Sequence, residues 1–365
     1  MGERPGALAA VVVRRPSPAF WAGKSVLLTG HTGFKGGWAA LWLTRMGARV
    51  TGLALPPDQT PALFDQARVG EGVTSHLTDL RDEAAVKAAL AGQTFDLVLH
   101  MAAQPIVRTS IQDPVGTFAA NIMGTAHLLQ TLRSQPALMA ALVITSDKVY
   151  ANAETGRAFV EADALGGKDP YSASKAATEI VVQSYAKSFY AQMGTPLATA
   201  RGGNVIGGGD YSADRLVADI VRAGRVQAQT VLRHPEATRP WQHVLDCVAG
   251  YLVYLEDLAT VRDTPSAMNF GPKPGGREVT VGELATQATA ALGAPPWRHE
   301  PDPHSLEAKA LGIDASQARA RLGFESLLPA PEAVTWTMDW YRRQAEGEDA
   351  RSLCFEQIER YESIR

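Results

Sequence analysis

Cysteine is almost absent from this chain: there are two in 365 residues, Cys247 and Cys354, far apart and in no metal-ligand spacing. That scarcity excludes a disulfide-stapled fold, predicts no bound metal, and fits a reducing, cytoplasmic setting in which both thiols are structural. An excess of charge of one sign is also missing. The chain carries 35 Lys and Arg against 38 Asp and Glu, a net charge of −3, which gives no case for nucleic acid or anionic lipid as a partner. No apolar run reaches the ~18–20 residues that cross a bilayer. The Arg14-Arg15 pair follows its short apolar stretch, and Lys24 comes soon after. This is the reverse of the order in an export signal. Residues 1–19 therefore read as a loosely ordered N-terminal extension.

What is present is a large apolar fraction, 45%, enough for one large α/β domain with a smaller partner. Short β-branched runs alternate with longer helical periodicity. The pattern predicts strands over 25–29, 49–54, 73–77, 97–100, 142–145 and 197–201, and helices over 38–46, 82–91, 114–134 and 171–192. Strands separated by helices imply right-handed parallel crossovers, hence an α/β fold with a Rossmann-type, doubly wound parallel sheet. After Gly202 the texture changes. Gly207-Gly208-Gly209, Pro235, Pro240, Pro272 and Pro274 cut the chain into short pieces between helices at 244–259 and 281–292, as in a smaller, insertion-rich lobe.

Thr29-Gly30-His31-Thr32-Gly33-Phe34-Lys35-Gly36 follows the first strand and opens a helix. Its glycines allow a tight turn and let a pyrophosphate approach backbone N–H groups at a helix N-terminus. The spacing is G-x-x-G-x-x-G. Tight turns use the same residues, but the place after a first strand favours a dinucleotide. NAD is favoured over NADP, because no Arg follows the second strand to pair a 2′-phosphate. That strand also lacks the usual ribose-binding acid at its end, since none appears before Asp58. Asp79, at the end of the third strand, is a candidate to hold the adenine or else a helix cap. The chain then divides into a dinucleotide-binding domain over 20–202, a mainly substrate-binding α/β lobe over 203–350 and a tail over 351–365. The active cleft lies between the two lobes.

Tyr171 and Lys175 stand four residues apart at the start of a helix and share one face. An ordinary phenol has a pKa of ~10, so a tyrosine acting as base near neutrality must be stabilised as phenolate by ~4 kcal/mol. The Lys175 ammonium and an oxidised nicotinamide are the charges that would do this. The bland alternative is a surface Tyr and Lys on an amphipathic helix. Ser146, Asp147 and Lys148 follow an apolar run and sit at the C-terminal rim of a parallel strand, where ligands lie in such folds. They could equally be solvated loop residues. An acid and an amine beside Tyr171 suggest elimination of water as well as oxidation.

These motifs, with His100-Met101-Ala102-Ala103-Gln104-Pro105, Asp169-Pro170-Tyr171, the segment 203–210 and Arg239-Pro240-Trp241-Gln242-His243-Val244, carry a resemblance over roughly residues 20–345. The chain resembles the extended short-chain dehydrogenase/reductase superfamily and, within it, the nucleotide-sugar 4,6-dehydratases. Lysine at 148, where the dTDP-glucose group has glutamate, resembles the group acting on CDP-glucose, as does the Gly30–Gly36 loop. Val149 stands where a cysteine is common, read as neutral packing.

The resemblance implies NAD as cofactor, held by Gly30, Thr32, Gly33, Phe34, Lys35, Gly36, Asp79, Leu80, Ala102, Ala103, Gln104, Asn121, Tyr171 and Lys175. It implies Ser146, Asp147, Lys148, Tyr171 and Lys175 as catalytic residues. Tyr171 would take the proton of the sugar 4-hydroxyl during oxidation, Lys148 the C5 proton, and Asp147 would protonate the departing C6 hydroxyl. The product would be CDP-4-keto-6-deoxyglucose, a deoxysugar precursor. The resemblance also implies a homodimer or dimer of dimers through helices near 114–134 and 171–192. By position, Gln104 and Arg108 face the cleft from the first lobe. Asn204, Arg215, Arg239 and His243 are candidates in the second lobe for diphosphate and base recognition, though base identity does not follow from these residues. The rival readings are a related dehydratase for another nucleotide sugar, an epimerase of the same fold, and a non-catalytic nucleotide-sensing module.

Overall fold

A computed structural model describes residues 13–302 and 311–364. Its centre is a seven-stranded sheet of β1 (Ser25–Thr29), β2 (Arg49–Ala54), β3 (Val73–Leu77), β4 (Leu97–His100), β5 (Ala140–Ile144), β6 (Leu197–Gly202) and β7 (Ala267–Phe270). The strand order is β7-β6-β5-β4-β1-β2-β3, with every neighbouring pair parallel. The chain winds outward from β1 in both directions, so β1 and β4 flank the switch point where such sheets take their ligands. The interior strands read as continuous apolar runs because helices cover both faces. In β5 all five residues are buried, whereas the edge strand β3 has none fully buried.

Two apolar clusters fill the space between helices and sheet. The larger includes Trp38 and Trp42 of α1 (Phe34–Arg45), both at 0% exposure. A side chain of this kind contributes up to ~3 kcal/mol on leaving water. The six strands read from the sequence are present, with bounds shifted by a residue or two. The long predicted helices are interrupted. The first is α2 (Pro114–Phe118), a π-helical turn at Ala119–Met123, and α3 (Gly124–Leu132). The second is α4 (Pro170–Tyr185) followed by a π-helical turn at Ala186–Tyr190.

Three features differ from the sequence reading. The seventh strand, β7, lies well beyond Gly202, so the region assigned to the second lobe returns to complete the central sheet. The segment predicted as a C-terminal tail is a helix, α6, once the intervening α5 (Val244–Thr260) is counted; α6 spans Ala350–Ser363 and buries Leu353, Cys354, Ile358 and Tyr361. Its Tyr361 hydroxyl donates to Asp246 of α5 at 2.7 Å. The N-terminal extension is pinned over its described part, where Arg14 pairs with Glu256 at 3.2 Å and Asp257 at 2.6 Å. Residues 1–12 lie outside the described residues. Among the described residues no helix is long and apolar enough to cross a membrane, and Cys247 and Cys354 are both free and buried.

Candidate active site

The glycine turn between β1 and α1 is shaped by close approach. Gly30 has φ +78°, and a Cβ there would stand 2.8 Å from the Ala102 amide nitrogen. A Cβ at Gly36 would stand 2.0 Å from the Gly30 carbonyl oxygen, so any side chain at either position breaks the turn. Gly33 is different: its Cβ would meet only the Gly30 oxygen at 3.4 Å, and as N-cap of α1 it offers no side-chain acceptor to the first helical N–H groups. An uncapped N-terminus behind a flat glycine surface suits a pyrophosphate, so these residues fit a dinucleotide.

The other predicted cofactor residues divide between surface and support. Thr32 donates to the Leu55 carbonyl at 2.8 Å. His31, between the glycines, lies buried over β2, where Gly52 leaves room for its ring, and bonds Ser75 at 2.7 Å. Burial pushes its pKa down to about 4, with His76 adding to the effect. Phe34 packs against the larger core, and Leu80 is buried with its carbonyl accepting from His127 at 2.9 Å. Asp79 does not cap a helix; Asp82 caps Glu83–Ala89 instead. Asp79 accepts from the Arg81 backbone at 2.9 Å and pairs with its guanidinium at 2.6 Å, an arrangement that holds its carboxyl below the usual range.

A chain of small polar groups runs beneath the switch point. Thr29 Oγ1 stands 2.6 Å from His100 Nδ1 and accepts from the Ala102 amide at 3.0 Å, while His100 Nε2 stands 2.9 Å from Thr125 Oγ1. Asn121, in the π-helical turn, accepts from the Gln104 amide at 2.8 Å and donates to the Ser174 hydroxyl at 2.8 Å. It therefore ties the loop after β4 to α4. The sequence reading missed Thr29, Thr117, Thr125 and Ser174; the available signal was Ser174, enclosed between Tyr171 and Lys175.

Tyr171, Lys175, Ser146, Asp147 and Lys148 come together at the C-terminal end of β5. Asp169 caps α4 through Ser172 and so fixes the entry of Tyr171 into the helix. Lys175 reaches across to donate to the Ile144 carbonyl at 3.0 Å. The Ser146 hydroxyl donates to Asp147 at 3.0 Å and accepts from the Lys148 amide at 3.2 Å. The second carboxyl oxygen of Asp147 is buried with no partner. That arrangement favours the neutral acid, and burial raises the Asp147 pKa despite Lys148 nearby. Burial lowers that of Lys148, partly opposed by Asp147. Burial also brings Lys175 down to about 7, with Lys35 of α1 pushing the same way. The Tyr171 phenol is raised by burial, which Ser146 and Arg215 only partly offset. The chain alone therefore shifts the acid toward its protonated form, the amines toward their neutral form, and the phenol away from ionisation.

The predicted substrate residues are less uniform. The Gln104 side chain donates through Nε2 to the Thr117 hydroxyl at 2.9 Å and accepts through Oε1 from the Ile106 backbone amide at 2.5 Å. Arg108 pairs with Asp214 at 3.0 Å, and Arg215 donates to the Pro105 carbonyl at 3.1 Å, so two contacts span the cleft side by side. Arg239 is close enough to influence both Asp147 and Lys148. Asn204 is half-buried, its carbonyl accepting from the Gln242 amide at 2.9 Å. His243 is misplaced by the sequence reading. It is fully buried, caps α5 by accepting from the Leu245 amide at 3.3 Å, and packs edge-on against Trp336. It has no surface to offer a sugar nucleotide. Among the described residues no cluster of His, Cys, Asp or Glu could hold a metal ion.

The parallel sheet, the glycine turn and the Tyr171–Lys175 pair define an extended short-chain dehydrogenase/reductase. More narrowly, the chain belongs to the NAD dependent epimerase/dehydratase family, whose model matches residues 26–271. A CDP-glucose 4,6-dehydratase of Salmonella typhimurium is 39% identical, over 94% of this chain and 98% of that protein. A dTDP-glucose 4,6-dehydratase of Xanthomonas campestris is 26% identical over 86% and 92%. Among solved structures, the UDP-glucose 4-epimerase of Thermus thermophilus in complex with NAD superposes with a TM-score of 0.76 at 24% identity. That match covers 87% of this chain and 99% of that one.

Proposed function

We propose that this protein is a CDP-glucose 4,6-dehydratase, converting CDP-D-glucose to CDP-4-keto-6-deoxy-D-glucose and water with NAD as its cofactor. The observation that carries the reading is the buried Asp147 with the half-buried Lys148 beside Tyr171. Epimerisation at C4 needs a base for the 4-hydroxyl but no second acid and amine. The 39% identical CDP-glucose 4,6-dehydratase supports the cytosine base. The same relative weighs against a non-catalytic sensor.

The glycine turn and the N-terminus of α1 would hold the pyrophosphate, and Lys175 the nicotinamide end. The chemistry NAD supplies when bound is a reversible two-electron store: hydride leaves the sugar C4 and later reaches C6. Every other step belongs to the chain. Tyr171 takes the 4-hydroxyl proton, assisted by the Ser146 hydroxyl and by the positive charge of Lys175. The resulting 4-ketone acidifies the C5 proton, since its removal leaves an enolate. Lys148, whose ammonium form is disfavoured by burial, accepts that proton as the neutral amine. Asp147, kept protonated by burial, gives its proton to the C6 hydroxyl, and water leaves. Lys148 then returns a proton to C5, Tyr171 releases the 4-hydroxyl proton to solvent, and solvent restores the Asp147 proton. Arg215 and Arg239 supply positive charge for the diphosphate.

Incubation with CDP-, dTDP-, UDP- and GDP-sugars, with the 4-keto product followed by its alkaline absorbance, tests the assignment. Ketone is expected from CDP-glucose. No ketone from any sugar sinks the dehydratase, and product from dTDP- but not CDP-glucose sinks the base. Lys148→Ala should retain hydrogen exchange at C4 while losing elimination; equal loss of both would make Lys148 a substrate anchor.

The protein is further read as a cytoplasmic homodimer or dimer of dimers. Its two buried free thiols suit a reducing compartment. Val115, Phe118 and Met123 along 114–134, together with Ile180 of α4, expose 76%, 37%, 49% and 59% of their surface. Exposed apolar side chains on these two helices support the proposed interface. Val115→Glu with Met123→Glu should give monomers in light scattering; unchanged mass would place the interface elsewhere.

A further inference from the structure

Below the catalytic groups lies a second charged cluster that the proposed reaction does not use. Glu179 sits on α4, one turn beyond Lys175, at 0% exposure. Its carboxylate accepts from Thr145 Oγ1 at 2.5 Å, Thr199 Oγ1 at 2.8 Å, and Arg201 Nε and Nη2 at 3.0 and 2.8 Å. Thr145 is the residue immediately before Ser146-Asp147-Lys148. Thr199 and Arg201 belong to β6. Arg201 also donates to the Tyr150 hydroxyl at 2.9 Å, which donates to Asn269 of β7 at 2.6 Å. One carboxylate therefore binds the catalytic helix to the strand end that carries the acid and the amine, and to the strand beyond it.

We infer that Glu179 is a positioning residue of the reaction: it fixes the rim that carries Ser146 to Lys148 and places a negative charge one helical turn from Lys175. This rests on the catalytic reading given above for Tyr171 and Lys175. Facing Lys175 are Lys35 of α1, His100 of β4 and, on its own helix, Glu179. Lys35 opposes protonation of Lys175 and Glu179 favours it. Facing Glu179 are Arg201 and Tyr254 of α5. Removing the Glu179 charge leaves Lys35 unopposed, so Lys175 sheds its proton at lower pH. With less ammonium beside it, Tyr171 ionises only at higher pH. The acid limb of the kcat/KM profile then moves up.

The single change Glu179→Gln strands a buried guanidinium and risks misfolding. The paired change Glu179→Gln with Arg201→Met removes both charges. It is expected to fold, as read by circular dichroism and melting, and to show its acid limb at higher pH. Activity near neutrality should fall about tenfold, the effect of one pKa unit on the ionised fraction. Arg201→Lys keeps both charges and should lose stability with the limb in place. A folded double variant with an unshifted limb, or an equal shift in Arg201→Lys, overturns the role of Glu179. Tyr171→Phe, measured alongside, should lose about 10²–10⁴-fold in activity at every pH. If it keeps its activity, the catalytic reading itself fails; if it falls this far while the double variant is unshifted, only the Glu179 inference fails.

Discussion

Two buried charged clusters sit end to end along α4, and they are built on opposite principles. Around Glu179 and Arg201 the carboxylate accepts four hydrogen bonds and the guanidinium donates into carboxylate, phenol and backbone. Around Asp147 and Lys148 one carboxyl oxygen has no partner, and burial pushes acid and amine toward neutrality. The satisfied cluster is a support whose charges cost little once paired. The unsatisfied one keeps its protons available for transfer, at some cost in stability. The same helix borders both, carrying Tyr171 and Lys175 beside Asp147 and Lys148 and, one turn further on, Glu179 against Arg201.

The comparison is broken most directly through activity. Tyr171→Phe should lower turnover by about 10²–10⁴-fold, the usual contribution of a positioned acid–base group, with melting little changed. A large loss of folding instead would make Tyr171 part of the support. Arg201→Met should do the reverse. Leaving Glu179 charged and unpaired should cost ~3–5 kcal/mol in urea unfolding, so a loss under ~1 kcal/mol would show that water relieves the pair.

Asp147→Asn sharpens the contrast. The amide keeps the shape of the carboxyl but cannot protonate the C6 hydroxyl, so elimination should stop while stability is kept or rises by about 1–2 kcal/mol. The sign follows from linkage. A carboxyl whose folded pKa is raised binds its proton more tightly in the native state. Its cost is therefore absent at low pH and grows as pH rises above the ordinary value of ~4. The gain from Asp147→Asn should accordingly be seen at neutral pH and vanish on acidification. A gain that persists in acid would point to packing instead. The smallest effect is expected at Asp214→Ala. It removes the cross-cleft partner of Arg108, a half-exposed pair worth under ~1 kcal/mol to stability, and a larger change in urea unfolding would mean the pair joins the lobes.

Much of this organisation was legible in local patterns. Alternation of β-branched runs with helical periodicity located six of the seven sheet strands, because all but the edge strand β3 are buried apolar runs. The glycines of 30–36 and the spacing of Tyr171 and Lys175 are local geometry and needed no partner to be read. Strand β7 was missed because it follows a long excursion into the second lobe, where glycine and proline mask its apolar core. The helix at 350–363 was read as a tail because its apolar face is sparse and its anchors, Asp246 and Trp336, are remote in sequence. His243 was misassigned for a related reason: a histidine in a proline-bounded segment reads as a ligand until the burying helix is in view.

The sequence by itself determined the fold class, the dinucleotide turn and the placing of an acid and an amine at a strand end beside Tyr171. These depend on spacing along one chain segment. Only the tertiary structure decided their protonation, the linkage of Arg108 to Asp214 and the support given by Glu179. Burial and charge pairing are set by residues brought together from distant segments. The Asp147–Lys148 pair is therefore legible as chemistry in one dimension, but burial raises the pKa of the acid and lowers that of the amine only when the sheet, α4 and the second lobe close around it.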